Sequence, residues 1–494
     1  MQLKKAKEKT TVTTTQKISM GFGDLGYGMV NNTMSSFIMY FGTTVMGVSG
    51  TLMGLAVASG TMWDAVTDPM IGHASDNARS KYFGRRHQFI LIGIIFMALA
   101  NIMLWSVPAD FSMVAKFFWF TIGIIALETC HTLFATPNAA LSIEISKNYN
   151  ERSNIQSVKS VFSILGILMP TLLMGMFQKS TAEYADGRFN PQSYLNFAYL
   201  TSACIILFGT VMFIVTYSHV PRLREIAELE RSKQPANKPK GFKVIMGSFF
   251  RALKDKNFSS VIVGYSIAMM ASTILVAYGF NAFTFTFKTS ATEMYIIMAG
   301  LFIMTIAGQP LWLYISKKYN KKTATIAGLG IALIGCGMLF AMFLARDFFN
   351  GLLEVSAFGV VAMMPPLIVA GLGIGVMFSM PFALIGDAIV VEKAETGQDK
   401  TATYTGFMTL ANKASAAISS LILGILLDAM GFVEGSTVQS ESVESGLGWM
   451  LCIGVTLAVA GGMIAFSRYN VSRADVQKAL DKLSSYETTD DATK

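Results

Sequence analysis

The most informative stretch of this sequence runs from Trp63 to Arg86 and reads WDAVTDPMIGHASDNARSKYFGRR. It begins inside an apolar run, carries two aspartates four residues apart, and ends in a basic turn. The apolar run that contains its first residues and the run that follows at 88–107 are each long enough to cross a bilayer as a helix. The stretch therefore predicts two membrane-spanning helices joined by a short charged turn.

The same alternation of apolar runs and charged loops extends over the whole chain. Of its 494 residues 52% are hydrophobic and 14% are charged, and the mean hydropathy is +0.49, whereas soluble domains carry about 25% charged residues. The runs are continuous rather than alternating in polarity, so they predict helices and not a strand barrel. The predicted spans lie near 20–45, 50–74, 88–107, 113–140, 156–178, 192–219, 258–287, 292–315, 323–345, 355–390, 401–430 and 446–467.

Basic residues mark alternate loops, which predicts the orientation of the chain. They concentrate at 79–86, 147–152, 220–257, 317–322 and 393–400, whereas the loops between are short or acidic. By the positive-inside rule both termini are expected in the cytoplasm. Residues 1–17 have no apolar core, so the first span is expected to act as its own insertion signal. The net charge of +8 fits this topology and anionic lipid headgroups, and it does not indicate nucleic acid.

The long basic loop divides the predicted spans into two sets of six. The sequence predicts a tail at 1–19, a six-helix bundle at 20–219, a linker at 220–257, a second bundle at 258–468 and a tail at 469–494. Span four ends in Thr136-Pro137 and then Glu144, and span ten ends in Met380-Pro381 and then Asp387. Two parallel six-helix halves are typical of the major facilitator fold, an all-α membrane architecture with its substrate site between the halves.

Two acids in span two are the strongest functional signal. An ionisable residue at membrane depth costs about 2.5–3.5 kcal/mol and is retained where function requires it. Asp64 and Asp68 share one helix face, and two stacked carboxylates in a low dielectric need a cation, a shared proton or a nearby lysine. A Na⁺ ion would satisfy both acids, with Thr67 and Thr132 adding oxygens and Lys413 replacing the ion when it is absent. The alternative is a structural salt bridge between spans two and eleven.

Other charged residues allow two interpretations each. Glu128 and His131 share a face of span four and suit either a proton relay or a polar contact between helices. Asp24 lies among glycines that favour close helix contact, with or without a role in binding solute. The charged turns predict either a topology signal alone or a cytoplasmic gate, formed by Asp76, Arg79, Arg85, Arg86 and Asp387.

Several motifs together resemble one family. The segment Trp63–Gly72, the basic turn Arg79–Arg86, the opening Lys17–Gly23 and the stretch Tyr404–Lys413 are similar to the glycoside–pentoside–hexuronide:cation symporter family. The resemblance implies uptake of a small solute by alternating access, coupled to Na⁺, Li⁺ or H⁺. It places the cation on Asp64, Thr67, Asp68, Thr132 and Lys413.

The resemblance is weaker on the sugar-binding side. The melibiose carrier typifies this family, and its pattern has an aspartate, a second aspartate, a tryptophan and an arginine on this side. In this chain the corresponding residues are, in the same order, Gly28, Ala135, Ala139 and Ser160. The galactoside contacts of the family are therefore largely missing. Candidates for a substituted polar lining are Asp24, Tyr27, Asn31, Asn138, Gln156 and Lys159.

The sequence as a whole predicts a monomeric secondary active symporter in the lipid bilayer. Its expected cargo is a sugar or glycoside, and a lipid-like or other organic solute is the alternative. A membrane sensor or scaffold that has lost transport is the alternative of another class. No enzymatic activity is expected, because Walker A, HExxH and GxSxG motifs are missing. No cofactor is expected beyond the coupling ion.

Overall fold

A computed structural model describes residues 12–146, 148–233, 253–396 and 401–491. Within these ranges the regular structure is helical, and no strand is formed. The chain divides into two compact units, one of Met1–Pro239 with Leu421–Gln439 and one of Lys240–Ser420 with Ser440–Lys494. Residues 234–252 of the predicted linker lie outside the described residues.

The first unit contains seven helices among its described residues. They are α1 (Thr14–Tyr40), α2 (Gly50–Asn77), α3 (His87–Trp105), α4 (Met113–Glu144), α5 (Tyr149–Phe177), α6 (Pro191–Tyr217) and α7 (Val220–Lys233). Helix α1 packs against α5 and α6, α2 packs against α4, and α3 packs against α4 and α6. These contacts place the acids of α1 and α2 next to α4 and α5.

The described residues of the second unit repeat this plan with more interruptions. The helices are α8 (Lys256–Asn281), α9 (Ala291–Ala307), α10 (Gln309–Lys318), α11 (Lys321–Leu344), α12 (Arg346–Val355), α13 (Phe358–Ile374), α14 (Met380–Thr396), α15 (Thr401–Ala429), α16 (Glu441–Ser467) and α17 (Arg473–Asp491). The end of α15, from Leu421 onward, belongs to the first unit. A π-helical turn at Phe41–Val45 follows α1, and a matching turn at Ala282–Thr286 follows α8.

The predicted all-α, twelve-span fold is confirmed. In the described residues the spans are α1 to α6, then α8, α9 with α10, α11, α13 with α14, α15 and α16. Ten of these twelve meet length and composition criteria for crossing a membrane. Helices α1 and α2 fall below that threshold because they carry glycines and buried polar groups at membrane depth. The protein is therefore a multi-pass membrane protein.

Two predicted spans are interrupted rather than continuous. The eighth breaks at Gly308, between α9 and α10, and the tenth breaks between α13 and α14 at a 3₁₀ turn, Gly375–Phe378. Pro381 is the second residue of α14. Proline lacks an N–H donor and its ring clashes with the carbonyl four residues earlier, so a helix start accommodates it without the loss of a hydrogen bond. Other prolines of the chain, such as Pro69 and Pro137, lie inside helices. Hydropathy along the sequence does not reveal such breaks, because apolar residues lie on both sides of them.

The last turn of α15 caps the start of α2 within the first unit. The carboxylate of Asp428 accepts a hydrogen bond from the Ser49 hydroxyl at 2.7 Å. It also accepts from the backbone N–H groups of Gly50 at 2.7 Å and Thr51 at 2.9 Å. A carboxylate at this position satisfies otherwise unpaired N–H groups and interacts favourably with the helix dipole. Asp428 therefore fixes where α2 begins.

Candidate functional site

Helices α2 and α4 bring the two acids of span two against threonine hydroxyls. Thr132 donates a hydrogen bond to Asp64 Oδ1 at 2.6 Å, and Thr136 donates to Asp68 Oδ1 at 3.5 Å. Each pair joins a residue of α2 to the residue 68 positions later on α4, so the two helices run in the same direction. The pairs are one helical turn apart and form a strip of carboxylate and hydroxyl oxygens, which are the donors that hard cations prefer.

Thr67 belongs to the same region but has a local partner. Its side chain is buried, and its hydroxyl donates to the Asp64 carbonyl at 3.3 Å. Lys413 lies half-buried on the part of α15 that belongs to the second unit. Its place at the cation site stays a prediction.

Glu128 and His131 contact each other on α4. His131 Nδ1 lies 3.2 Å from Glu128 Oε2, and both side chains are buried. Tyr27 of α1 covers this pair, with its ring centroid 5.3 Å from the His131 ring and 5.8 Å from the Phe134 ring. Glu128 also contacts the strip of carboxylate and hydroxyl oxygens, since its backbone carbonyl accepts a hydrogen bond from Thr132 at 3.1 Å. The pair therefore forms the side of the strip that faces α1.

A second polar cluster surrounds Asp24 of α1. Its carboxylate accepts hydrogen bonds from Asn138 Nδ2 at 2.7 Å and from the Ser163 hydroxyl at 3.3 Å. Lys159 Nζ lies 3.5 Å from Asp24 Oδ1, and the Lys159 side chain is only 8% exposed. Asn138 Oδ1 is buried without a hydrogen-bond partner. A buried acceptor of this kind costs free energy unless a donor meets it, so the cluster is suited to a polar ligand.

The cluster lies on α1 and α5, two of the helices where the sequence departs from the sugar-binding pattern. A Cβ on Gly28 would lie 3.1 Å from the Gly166 Cα, so position 28 is packed against the α5 backbone and has no room for an acid. Asp24, one turn earlier on α1, supplies the carboxylate. On α5 the Ser160 side chain is exposed and bonds to its own helix, whereas Lys159 faces Asp24.

Three of the predicted solute contacts lie apart from this ion pair. Gln156 is exposed and donates to the Ser142 hydroxyl at 2.8 Å. Asn31 is half-buried one turn after Tyr27, and its carbonyl accepts from the Ser35 hydroxyl at 2.9 Å. Tyr27 contacts His131, as described above. The structure thus brings together Asp24, Asn138 and Lys159.

Three of the predicted gate residues, Asp76, Arg85 and Arg86, form ion pairs where α2 ends and α3 begins. Arg86, whose side chain is 7% exposed, contacts Asp76, and it binds Glu144 of α4 at 2.6 Å and the Ser75 hydroxyl at 2.7 Å. Arg85 also binds Glu144, at 3.1 Å. Burial alone would lower the pKa of Arg86, but the hydrogen bonds and negative charges of Glu144 and Asp76 outweigh burial and raise it.

The second unit contains the corresponding ion pair. Asp387 of α14 binds Lys321, the first residue of α11, at 2.6 Å. Glu144 and Asp387 occupy matching positions in the two sequence echoes, and each binds a basic residue at the start of its unit's third span. The partly exposed pair in the second unit is more open to water than the Arg86 pair.

Three contact residues escaped the sequence prediction. They are Thr136, Ser163 and Glu144. Thr136 lies one turn after Thr132, as Asp68 lies one turn after Asp64, and this matched spacing was a usable signal. Ser163 and Glu144 have no such signal, because their partners depend on how neighbouring helices are aligned.

Comparisons with known proteins give the class. The family model described as MFS/sugar transport protein matches residues 19–473, so the chain belongs to that family, within the major facilitator superfamily. It is similar to an uncharacterised symporter of Synechocystis, with 23% identity over 94% of this chain and 96% of that protein. It is also similar to the sodium-dependent lysophosphatidylcholine symporter 1 of Xenopus tropicalis, with 22% identity over 97% and 91%.

Solved structures show the same fold. A bacterial homologue of the human lysosomal transporter Spinster superimposes with a TM-score of 0.67 at 14% identity, covering 96% of this chain and 99% of that one. A D-xylose–proton symporter superimposes with a TM-score of 0.59 at 14% identity, covering 90% and 96%. The family and these structural neighbours are transporters.

Proposed function

We propose that this protein is a cation-coupled symporter in which Asp64 and Asp68 hold the coupling ion. The observation that carries the proposal is the pair of contacts from these acids to Thr132 and Thr136. Two carboxylates on one helix face repel each other at low dielectric, and a hard cation relieves that repulsion while the hydroxyls complete its oxygen shell. The resemblance to the cation symporter family supports the same residues and adds Lys413.

Na⁺ is the first candidate for the ion. Relatives over nearly the whole chain are named sodium-dependent symporters, and an oxygen-only donor set fits Na⁺. A proton carried by the same carboxylates is the alternative, and Li⁺ would bind as Na⁺ does.

Two cargo classes fit the cluster around Asp24. A sugar or glycoside offers hydroxyls, which a carboxylate, an amide and a serine hydroxyl bind well. A zwitterionic lysophospholipid offers a cation for Asp24 and a phosphate for Lys159, and relatives that are named lysophosphatidylcholine symporters favour this class. The buried charge pair, together with the missing galactoside contacts, gives the lipid class equal standing with the sugar class.

Membrane placement and assembly complete the proposal. The basic loops favour cytoplasmic termini, and the resemblance to the cation symporter family favours the plasma membrane. We propose that the monomer is the transporting species, because the residues proposed for the ion and for the solute all belong to one chain. A sensor or scaffold without transport is the rival function, and it predicts no accumulation of any solute.

Uptake into proteoliposomes tests the proposal. A Na⁺ gradient should drive accumulation of a glycoside or a lysophospholipid, and the competing class should not inhibit. Asp68→Asn should abolish accumulation against a gradient and leave solute exchange intact. Lys159→Gln should lower solute affinity at least tenfold, while the adjacent Ser160→Ala should not. Normal accumulation by Asp68→Asn would exclude Asp68 as a ligand of the coupling ion. Equal effects of Lys159→Gln and Ser160→Ala would exclude the cluster around Asp24 as the solute site.

A further inference from the structure

A basic cavity lies in the first unit, apart from both polar clusters. Its volume is about 400 Å³, within the range of small-molecule pockets. The turn between α2 and α3 forms one wall, and α7 forms the other. The charged groups that line it are Arg79, Lys81, Arg85, Arg224 and Glu228. Four cationic side chains thus face one carboxylate.

The cavity walls are held together by specific contacts. Helix α7 buries Val220, Leu223 and Ala227 along one side. Arg224 and Glu228 lie at the edge of that side, because each directly follows a buried residue, and they line the cavity there together with Ala227. Gly84 has a φ of +64°, which favours glycine, and a Cβ there would lie 3.2 Å from Val220. Arg224 Nη1 also donates to the Lys81 carbonyl at 3.3 Å. The cavity is therefore a built feature of the fold.

The cationic charge of the cavity exceeds what its own acid can neutralise. Glu228 accepts from Arg224 at 3.1 Å, and both side chains are about half exposed to solvent. Arg85 reaches out of the cavity to Glu144 at 3.1 Å. Arg79 and Lys81 add two exposed positive charges. Guanidinium groups match phosphate oxygens in geometry and charge, which makes a phosphate group the best-fitting ligand.

We propose that this cavity binds the phosphate group of an anionic lipid. The turn joins two spans and α7 follows a third, so the cavity lies at the level of the span ends, where headgroups are found. Basic pockets at this level recognise anionic headgroups. A free phosphate ion offers the same chemistry from solution. Bound phosphate would compete with Glu144 for Arg85, and so weaken the ion pair between α3 and α4. This inference does not depend on the proposed symport.

Paired double variants of the full chain test the proposal. Lys81→Gln/Arg224→Gln removes two cavity charges, and Arg468→Gln/Lys478→Gln removes the same charges from exposed positions of the second unit. The probes are inorganic phosphate against chloride at equal ionic strength, and nanodiscs of phosphatidylglycerol against phosphatidylcholine. Thermal unfolding and the lipid retained in native mass spectrometry are the readouts.

The cavity variant should lose at least tenfold in affinity, about 1.4 kcal/mol, and the control variant should bind as wild type does. Stabilisation by phosphatidylglycerol alone supports the lipid headgroup. Stabilisation by inorganic phosphate alone overturns the lipid assignment and leaves a soluble anion. If the cavity variant unfolds early without any probe, Lys81→Arg/Arg224→Lys keeps the charge and should restore binding. Equal binding by the cavity and control variants overturns the proposal.

Discussion

Replacing Glu144 with glutamine should destabilise the first unit more than replacing Asp76, the other acid that contacts Arg86. Glu144 binds both Arg86 and Arg85, and Arg86 is 7% exposed. Removing one partner of a buried pair costs about 3–5 kcal/mol, because the other charge stays buried. Glu144 is 19% exposed, and Asp76 still contacts Arg86 in the variant. Since water and Asp76 both reduce the penalty, we expect Glu144→Gln to lower the free energy of unfolding by roughly 2–3 kcal/mol.

Asp76→Asn is the matched comparison. Asp76 is 57% exposed, and exposed ion pairs contribute about 0.2–1 kcal/mol. Since 1 kcal/mol shifts the unfolding midpoint of a unit of this size by about 2–4 °C, Glu144→Gln should lower the midpoint by roughly 4–12 °C and Asp76→Asn by less than about 4 °C. Differential scanning fluorimetry of purified protein measures both. An equal or larger loss in Asp76→Asn would refute the argument.

Three further predictions follow from the same packing. Asp428→Ala should lower the unfolding midpoint, since three hydrogen bonds at the start of α2 are lost at about 1 kcal/mol or more each, whereas Glu434→Ala should have little effect. Gly28→Ala should cost about 1–3 kcal/mol by forcing α1 from α5, and Gly330→Ala, with open space around it, should be neutral by the same assay. Burial, with Arg222 nearby, lowers the pKa of His219 below its ordinary 6.5. As the pH drops below 6.5 the unfolded chain therefore binds this proton before the folded chain does, which lowers the thermal unfolding midpoint. We expect that decrease to be smaller in His219→Gln than in wild type.

The sequence predicts the helices well because a bilayer imposes a length and a composition on each span. Asp64 and Asp68 were identifiable for the same reason, since charge at membrane depth is costly. Thr132 donates a hydrogen bond to Asp64 at 2.6 Å, and its part in binding a cation stays a prediction. The breaks at Gly308 and before Pro381 were not predicted, because apolar residues flank them on both sides.

Contacts between helices are harder to predict, because they depend on helix rotation and register. Lys159 and Ser160 are adjacent, yet only Lys159 faces Asp24. The Arg86–Glu144 pair joins residues 58 positions apart. The sequence echo around Glu144 marked its position and gave no indication of its partner. Gln156 was predicted to contact solute from its polarity alone, and its side chain bonds to Ser142.

The central claim is that Asp64 and Asp68 bind a coupling cation, and the thermal unfolding midpoint in Na⁺ against choline at equal ionic strength tests it most directly. Na⁺ at 100 times its dissociation constant adds about 2.7 kcal/mol to the folded state. We expect Na⁺ to raise the unfolding midpoint of wild type and of the control Asp387→Asn. The midpoints of Asp64→Asn and Asp68→Asn should be the same in Na⁺ and in choline. A Na⁺ shift that persists in both span-two variants would contradict the account.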